Sequence, residues 1–128
     1  MTPPEAPRNS EEPRNSEELV KGVELFNAHH FWHAHEAWEE LWLHASGDEK
    51  IFLQGLIQLA AAYHHVQRGT LRGGVRLFDA ALRKLERFDD GRAGIDRGDA
   101  ITAAIAHREK IARGENIDAG EFPKLRYN

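Results

Sequence analysis

The sequence predicts an all-α protein, a compact bundle of about five helices joined as antiparallel hairpins. Three observations predict it. Apolar residues recur at three- and four-residue spacing through most of the chain after position 16. Glycine, serine, aspartate or threonine interrupts those runs at 46–48, 69–70 and 114. No stretch alternates with period two for long enough to demand a strand, so helices must bury their stripes against one another.

The first helix is expected from 15 or 16 to 27–29. Glu17 and Glu18 suit a helix N-terminus, and Leu19, Val20, Val23 and Phe26 form its stripe. The second, over 30–45, carries Phe31, Ala34, Trp38, Leu41, Trp42 and Ala45 on one side. Ser46-Gly47-Asp48 ends it, with Asp48 as the expected cap of the next helix. The third, over 49–67, is apolar on nearly every side (IFLQGLIQLAAAY), as befits a helix with neighbours all round. Arg68-Gly69-Thr70 reads as a tight turn, with Gly69 the stop and Thr70 a cap.

The fourth helix, over 71–88, has an inner face of Leu71, Gly74, Val75, Phe78, Ala81, Leu82 and Leu85. Arg72, Arg76, Arg83, Lys84 and Arg87 fall largely outside it. DDGRAGIDRG is a glycine-rich connection. The fifth helix, over 99–113, is expected to turn Ile101, Ala104, Ile105, Ile111 and Ala112 inward, with Gly114 as its stop. The tail ENIDAGEFPKLRYN carries Ile117, Phe122, Leu125 and Tyr127. Pro123 disfavours a helix there, so the tail is expected as an extended strap over the bundle.

These helices make one domain, residues 16–128. Residues 1–15 are rich in Pro, Glu, Arg, Asn and Ser and open a direct repeat, PRNSEE at 7–12 and again at 13–18. Such a composition does not offset ordering entropy by burial, so a disordered tail is expected. The chain of 128 residues has no cysteine, which excludes disulfides and thiolate metal sites and suits a reducing, cytoplasmic setting. The formal charge of −4 argues against a nucleic-acid binder. No apolar run reaches the roughly 18–20 residues of a membrane span. The longest, LIQLAAAY, ends at His64 and His65.

Polar side chains stand on the apolar faces of the second and third helices. On a helical wheel His35 lies one step round from Trp42, with Trp38 and Trp42 at the centre of the inner face. Glu39 shares that edge, and Glu36 stands at the rim. Gln54, Gln58 and His65 share one stripe of the third helix. A short loop makes these helices antiparallel neighbours, so His35, Glu36, Glu39, Gln54, Gln58 and His65 form a candidate polar cluster. Three readings apply, in this order. The first is a structural network of carboxylate, imidazole and amides. The second is a pocket for a small ligand or for catalysis, with Glu36 or Glu39 as base and His35 or His65 as acid or orienter. The third is a divalent metal held by His35, Glu39 and His65. The last is weakened because His35-Glu36 lacks the second histidine of H-E-x-x-H, and because glutamine is a poor ligand.

Arg68, Arg72, Arg76, Arg83 and Arg87 suggest a basic ridge, diluted by Asp79 and Glu86, and read first as a solvated helix face. Trp32 lies off the inner face and is expected at a pocket or a subunit contact. No phosphate-binding glycine loop is present.

The stretches LFNAHHFWHAHEAWEELW and FLQGLIQLAAAYHHVQRGTLRGGVRLFDAAL resemble the family called domain of unknown function 309. The residues that carry the likeness are Phe26 and Asn27, Phe31 and Trp32, His35 and Glu36, Glu39, Trp42, then 52–58, and His65 with Arg68 and Gly69. Thr70 stands where the family pattern has asparagine. The likeness covers 22–87. It implies a small helical bundle of bacterial or archaeal type, with no established activity and no known cofactor. The stretch from Ala62 is also similar to half of a tetratricopeptide unit, which implies hairpins stacked at an angle. True arrays hold three or more units, and fewer than two are present.

The functional expectation is therefore a helical-bundle protein whose His/Glu/Gln cluster is structural or binds a small ligand. The alternatives are a hydrolase with a Glu/His pair, with or without a metal, and a helical-repeat-like interaction module. A homodimer that covers Trp32 and Leu43 belongs to the last of these.

Overall fold

Apolar stripes at helical spacing become five helices in the computed structural model, which describes residues 17–127. They are α1 (Glu17–Asn27), α2 (Phe31–His44), α3 (Gly47–Arg68), α4 (Leu71–Leu85) and α5 (Gly98–Ala112). The disordered tail expected over 1–15 lies outside the described residues.

The connections α1–α2, α2–α3 and α3–α4 are two or three residues long, so consecutive helices run antiparallel and pack as hairpins. α3 is the centre of the array, packed against α2 and α4. α4 in turn packs on α5. The all-round apolar character of α3 is met by burial of Phe52, Leu53, Leu56, Leu59, Ala60 and Tyr63, among others. Gly55 lets α4 approach: a Cβ there would stand 2.8 Å from the Leu85 side chain. Gly69 stops α3 in the left-handed region, with φ of 78°.

Local details differ from expectation. Ser46, not Asp48, is the N-cap residue of α3, and Asp48 sits inside the first turn, where its charge complements the helix dipole. Thr70 is the N-cap residue of α4, as expected, but its side chain makes no capping hydrogen bond. Its hydroxyl is engaged with His65 instead. On α5 the buried face is Ala100, Ala104, His107 and Ile111. The expected inward positions Ile105 and Ala112 are exposed, with Ile105 at 44%. A polar residue has taken the central inward place because it finds a buried partner there.

The connection after α4 is not featureless. It contains a 3₁₀ turn (Arg92–Gly94) and a two-residue strand, β1 (Ile95–Asp96). β1 pairs antiparallel with β2 (Arg126–Tyr127), placing Ile95 opposite Tyr127. The tail thus lies over the bundle with Ile117, Phe122 and Leu125 buried. Asn27 clips it to α1. Its Nδ2 donates to the Leu125 carbonyl at 2.8 Å, and its Oδ1 accepts from the Leu125 N–H at 2.8 Å. No helix among the described residues is long and apolar enough to cross a membrane.

Candidate functional site

α2 and α3 carry polar atoms that the fold itself does not satisfy. His35 is half-buried, and its Nδ1 is fully shielded with no hydrogen-bond partner. The Trp42 Nε1 and the Gln58 Oε1 are in the same condition. Contacts at the two ends of the helix pair set their level. Near the start of α2, the Trp32 ring lies 5.2 Å from that of His64. Near the α2–α3 loop, Lys50 Nζ sits 4.4 Å from the centre of the Trp42 ring. Gln54 and Gln58 fall between those contacts, across from the segment 35–42. Leaving a buried donor or acceptor unpaired costs about 1–3 kcal/mol.

The neighbouring tryptophan shows the contrast. Trp38 is fully buried, and its Nε1 donates to the Leu19 carbonyl at 3.2 Å. It occupies the space over Gly22, where a Cβ would come within 2.0 Å of that nitrogen. Trp38 therefore ties α1 to α2, and its polar atom is satisfied.

Of the expected cluster, His35 on α2 and Gln54 and Gln58 on α3 are half-buried, as is Trp42. Glu36 and Glu39 are exposed, and the His35 Nδ1 has no partner, so neither carboxylate holds it there. His65 is drawn to the next turn, with its Nδ1 2.7 Å from the Thr70 hydroxyl. It also packs where a side chain on Gly73 would stand, 2.9 Å from a Cβ built there. Among the described residues no group of three or more histidine, aspartate or glutamate side chains is arranged to hold a metal ion.

Two aromatic rings join the site instead. Trp32 stacks on His35, with ring centres 4.5 Å apart and planes 18° from parallel. His64 flanks Trp32 and is held below the ordinary histidine range, first by burial and then by the neighbouring Arg68, His65 and His35. The signal for Trp32 was its place one helical turn before His35. His64 had no such signal, because a wheel does not show which of two adjacent histidines turns toward α2.

A second polar contact, with no counterpart in the sequence reading, lies between α3, α5 and the tail. Tyr63 and His107 are both buried, and the Tyr63 hydroxyl is 2.8 Å from the His107 Nδ1. The His107 Nε2 lies 3.9 Å from Glu121, which Lys110 approaches at 3.6 Å. Burial holds His107 below its usual range, against the opposing pull of Glu121, and pushes the Tyr63 hydroxyl far above its own. Tyr63 is also an aromatic hub. Its ring lies 4.9 Å from Phe78, 5.4 Å from Phe31 and 5.6 Å from Phe122.

At the opposite end, Arg97 is 4% exposed, and its Nη2 donates to the Phe88 carbonyl. Its Nε and Nη1 have no partner, and burial lowers its proton affinity. The guanidinium faces the Phe52 ring at 5.9 Å. Arg92 pairs with Glu49 and lies over Phe88 at 5.0 Å. These arginines fasten the connection after α4 to the core.

Residues 19–77 match the family model described as Domain of unknown function (DUF309). That stretch contains α2, α3 and every side chain of the candidate site. No curated protein matches the chain.

Proposed function

With residues 19–77 belonging to the DUF309 family, we propose that this domain binds a small polar molecule between α2 and α3. The observation that carries the reading is the set of three shielded polar atoms without partners on the neighbouring helices α2 and α3: His35 Nδ1, Trp42 Nε1 and Gln58 Oε1. Their chemistry defines the ligand. Gln58 Oε1 only accepts, the Trp42 indole only donates, and the imidazole does either according to its tautomer. The ligand therefore offers both a donor and an acceptor, as small amides, ureas and hydroxy acids do. Trp32, stacked on His35, walls the site toward solvent.

Folding leaves these atoms uncompensated at about 1–3 kcal/mol each, and a ligand that pairs them recovers that energy on binding. The unpaired nitrogens of Arg97 and Arg92 differ in kind. Each guanidinium already donates to an oxygen and lies over an aromatic ring. His35 stacks on Trp32 and the Lys50 ammonium lies over the Trp42 ring, but neither contact pairs the shielded polar atom.

The test is a titration of the protein with acetamide, urea, glycolate and imidazole, followed through the Trp42 indole N–H by proton–nitrogen correlation spectroscopy. We expect a saturable shift of that resonance with at least one probe, abolished by Gln58→Leu. An indole resonance indifferent to every probe, or a shift that persists in Gln58→Leu, overturns the proposal.

A further inference from the structure

Two helix faces, one of which shares only Trp32 with the proposed ligand site, carry matching patterns of opposite character. On α2, Trp32, Glu36, Glu39 and Leu43 follow at i, i+4, i+7 and i+11, the spacing of one helical stripe. All four are exposed, and Trp32 and Leu43 are two of the three most exposed large apolar residues described, at 44% and 58%. On α4, Arg72, Arg76, Asp79 and Arg83 follow at the same spacing. Arg72, Arg76 and Arg83 are exposed and make no ion pair among the described residues. Asp79 does not neutralise them, because its carboxylate is occupied. It accepts from Arg108 Nε at 2.8 Å and from Nη2 at 3.2 Å. The α4 stripe is therefore a ridge of free guanidinium groups, about 16 Å long at 1.5 Å per residue.

Within one molecule the two stripes do not meet. α2 and α4 both pack on α3, and each turns its stripe to solvent. A second molecule brings them together without moving either helix. Laid antiparallel, the stripes place Trp32 against Arg83, Glu39 against Arg76 and Leu43 against the aliphatic stem of Arg72. Glu36 then meets the Asp79–Arg108 pair. Laid parallel, Trp32 meets Arg72 and Glu36 meets Arg76. In both directions the indole faces a guanidinium and a carboxylate faces Arg76.

We propose that the α2 stripe of one molecule docks on the α4 ridge of another, so that copies of this chain associate head to tail. Charge complementarity selects the occupant. The chain has a net charge of −4, so nucleic acid is repelled by the molecule as a whole, whereas the acidic α2 face flanked by apolar ends matches the ridge in length and spacing. The contact is heterologous, which means that association is open-ended or closes into a ring rather than stopping at a symmetric pair. One helix against one helix buries less than the roughly 1,200 Å² of a stable interface, so the assembly is weak, concentration-dependent and sensitive to salt.

The experiment is sedimentation velocity on the full chain over a concentration series, at low and at high ionic strength. We expect reversible growth beyond the monomer with a dissociation constant between about 10 μM and 1 mM at low salt, and return to monomer at high salt. Reversing charge on one face, Glu36→Lys with Glu39→Lys, or Arg72→Glu with Arg76→Glu, weakens association at least about tenfold. Carrying both reversals in one chain restores it. All of these side chains are exposed, and circular dichroism confirms that each variant is folded. A monomer at every concentration and salt overturns the proposal, as does association indifferent to either reversal or not restored by their combination. Binding of a fluorescent oligothymidylate that Arg72→Glu with Arg76→Glu abolishes, in a chain that stays monomeric, assigns the ridge to nucleic acid and also overturns it. Neither reversal touches His35, Trp42 or Gln58, so this result and the ligand titration stand or fall separately.

Discussion

α3 presents polar side chains on two of its faces, and the two are treated differently. Toward α5 and the tail, the Tyr63 hydroxyl meets the His107 Nδ1 at 2.8 Å in a fully buried setting. Toward α2, Gln58 Oε1 meets nothing, and neither do His35 Nδ1 and Trp42 Nε1. Tyr63 and His107 are buried, and the α2–α3 atoms are shielded within half-buried side chains, so desolvation is incurred on each face, but only the first receives a hydrogen bond in return. The difference separates two uses of buried polarity. The Tyr63–His107 pair fixes which residue of α5 points inward and holds the tail against the core. The α2–α3 atoms make no hydrogen bond within the fold, and the proposed ligand would supply one.

The comparison breaks first at Tyr63. Tyr63→Ala empties the aromatic hub and removes the pair, and should destabilise the domain by about 3–5 kcal/mol in urea unfolding. A loss below about 1 kcal/mol would mean that the interior closes over the gap and that Tyr63 is no hub.

Tyr63→Phe is a narrower cut. It keeps the ring and leaves His107 Nδ1 buried without a partner, at a cost of about 1–3 kcal/mol. It also bears on pH. The folded-state proton affinity of His107 lies below the ordinary histidine value, so the unfolded chain takes up the proton first. The stability that depends on neutral His107 is fully present above about pH 6.5 and declines as pH falls from there toward the folded-state value. His64, also lowered, adds a slope of the same sign. His107→Gln should flatten part of the decline in denaturation midpoints measured between pH 7 and pH 5. An unchanged profile would remove His107 from the account of acid sensitivity.

The smallest effect is expected on the unpaired side. Gln58→Leu removes an unsatisfied buried oxygen at nearly constant volume, so stability should hold or rise by up to about 1 kcal/mol. A clear loss would show that the Gln58 amide supports the fold and would erase the contrast from which the ligand site was read.

Much of the fold was legible in the sequence, because periodicity and stop residues are local. The five helices lie within a few residues of the ranges read from apolar spacing, and Gly69 ends α3 as its position suggested. The strap was foreseen from Pro123 and the scattered apolar residues of the tail. The site was legible only in part. A wheel places His35, Gln58 and Trp42 on facing sides of two helices, and in each of them one polar atom is shielded without a partner. It cannot see Thr70 across the turn, five residues along, drawing His65 away. His107 escaped notice for a related reason. Histidine reads as a surface residue until the tyrosine that satisfies it, 44 residues earlier, is known. Ile105 was assigned inward with the other apolar residues of the fifth helix, and the inward place of His107 is decided by that same distant partner.

The amide of Asn27 has a consequence for the order in which the molecule assembles. It grips the Leu125 backbone from both sides across 98 residues, whereas the helix hairpins close over loops of two or three. Hairpins with local contacts form early, and a contact that must enclose nearly the whole folded chain forms after the loop entropy has been met by everything between. Asn27→Ala is therefore expected to speed unfolding and leave the folding rate almost unchanged in stopped-flow denaturant jumps. The strap is a seam: it is the last part of the domain to close, and its hold on α1 sets how long the closed form lasts.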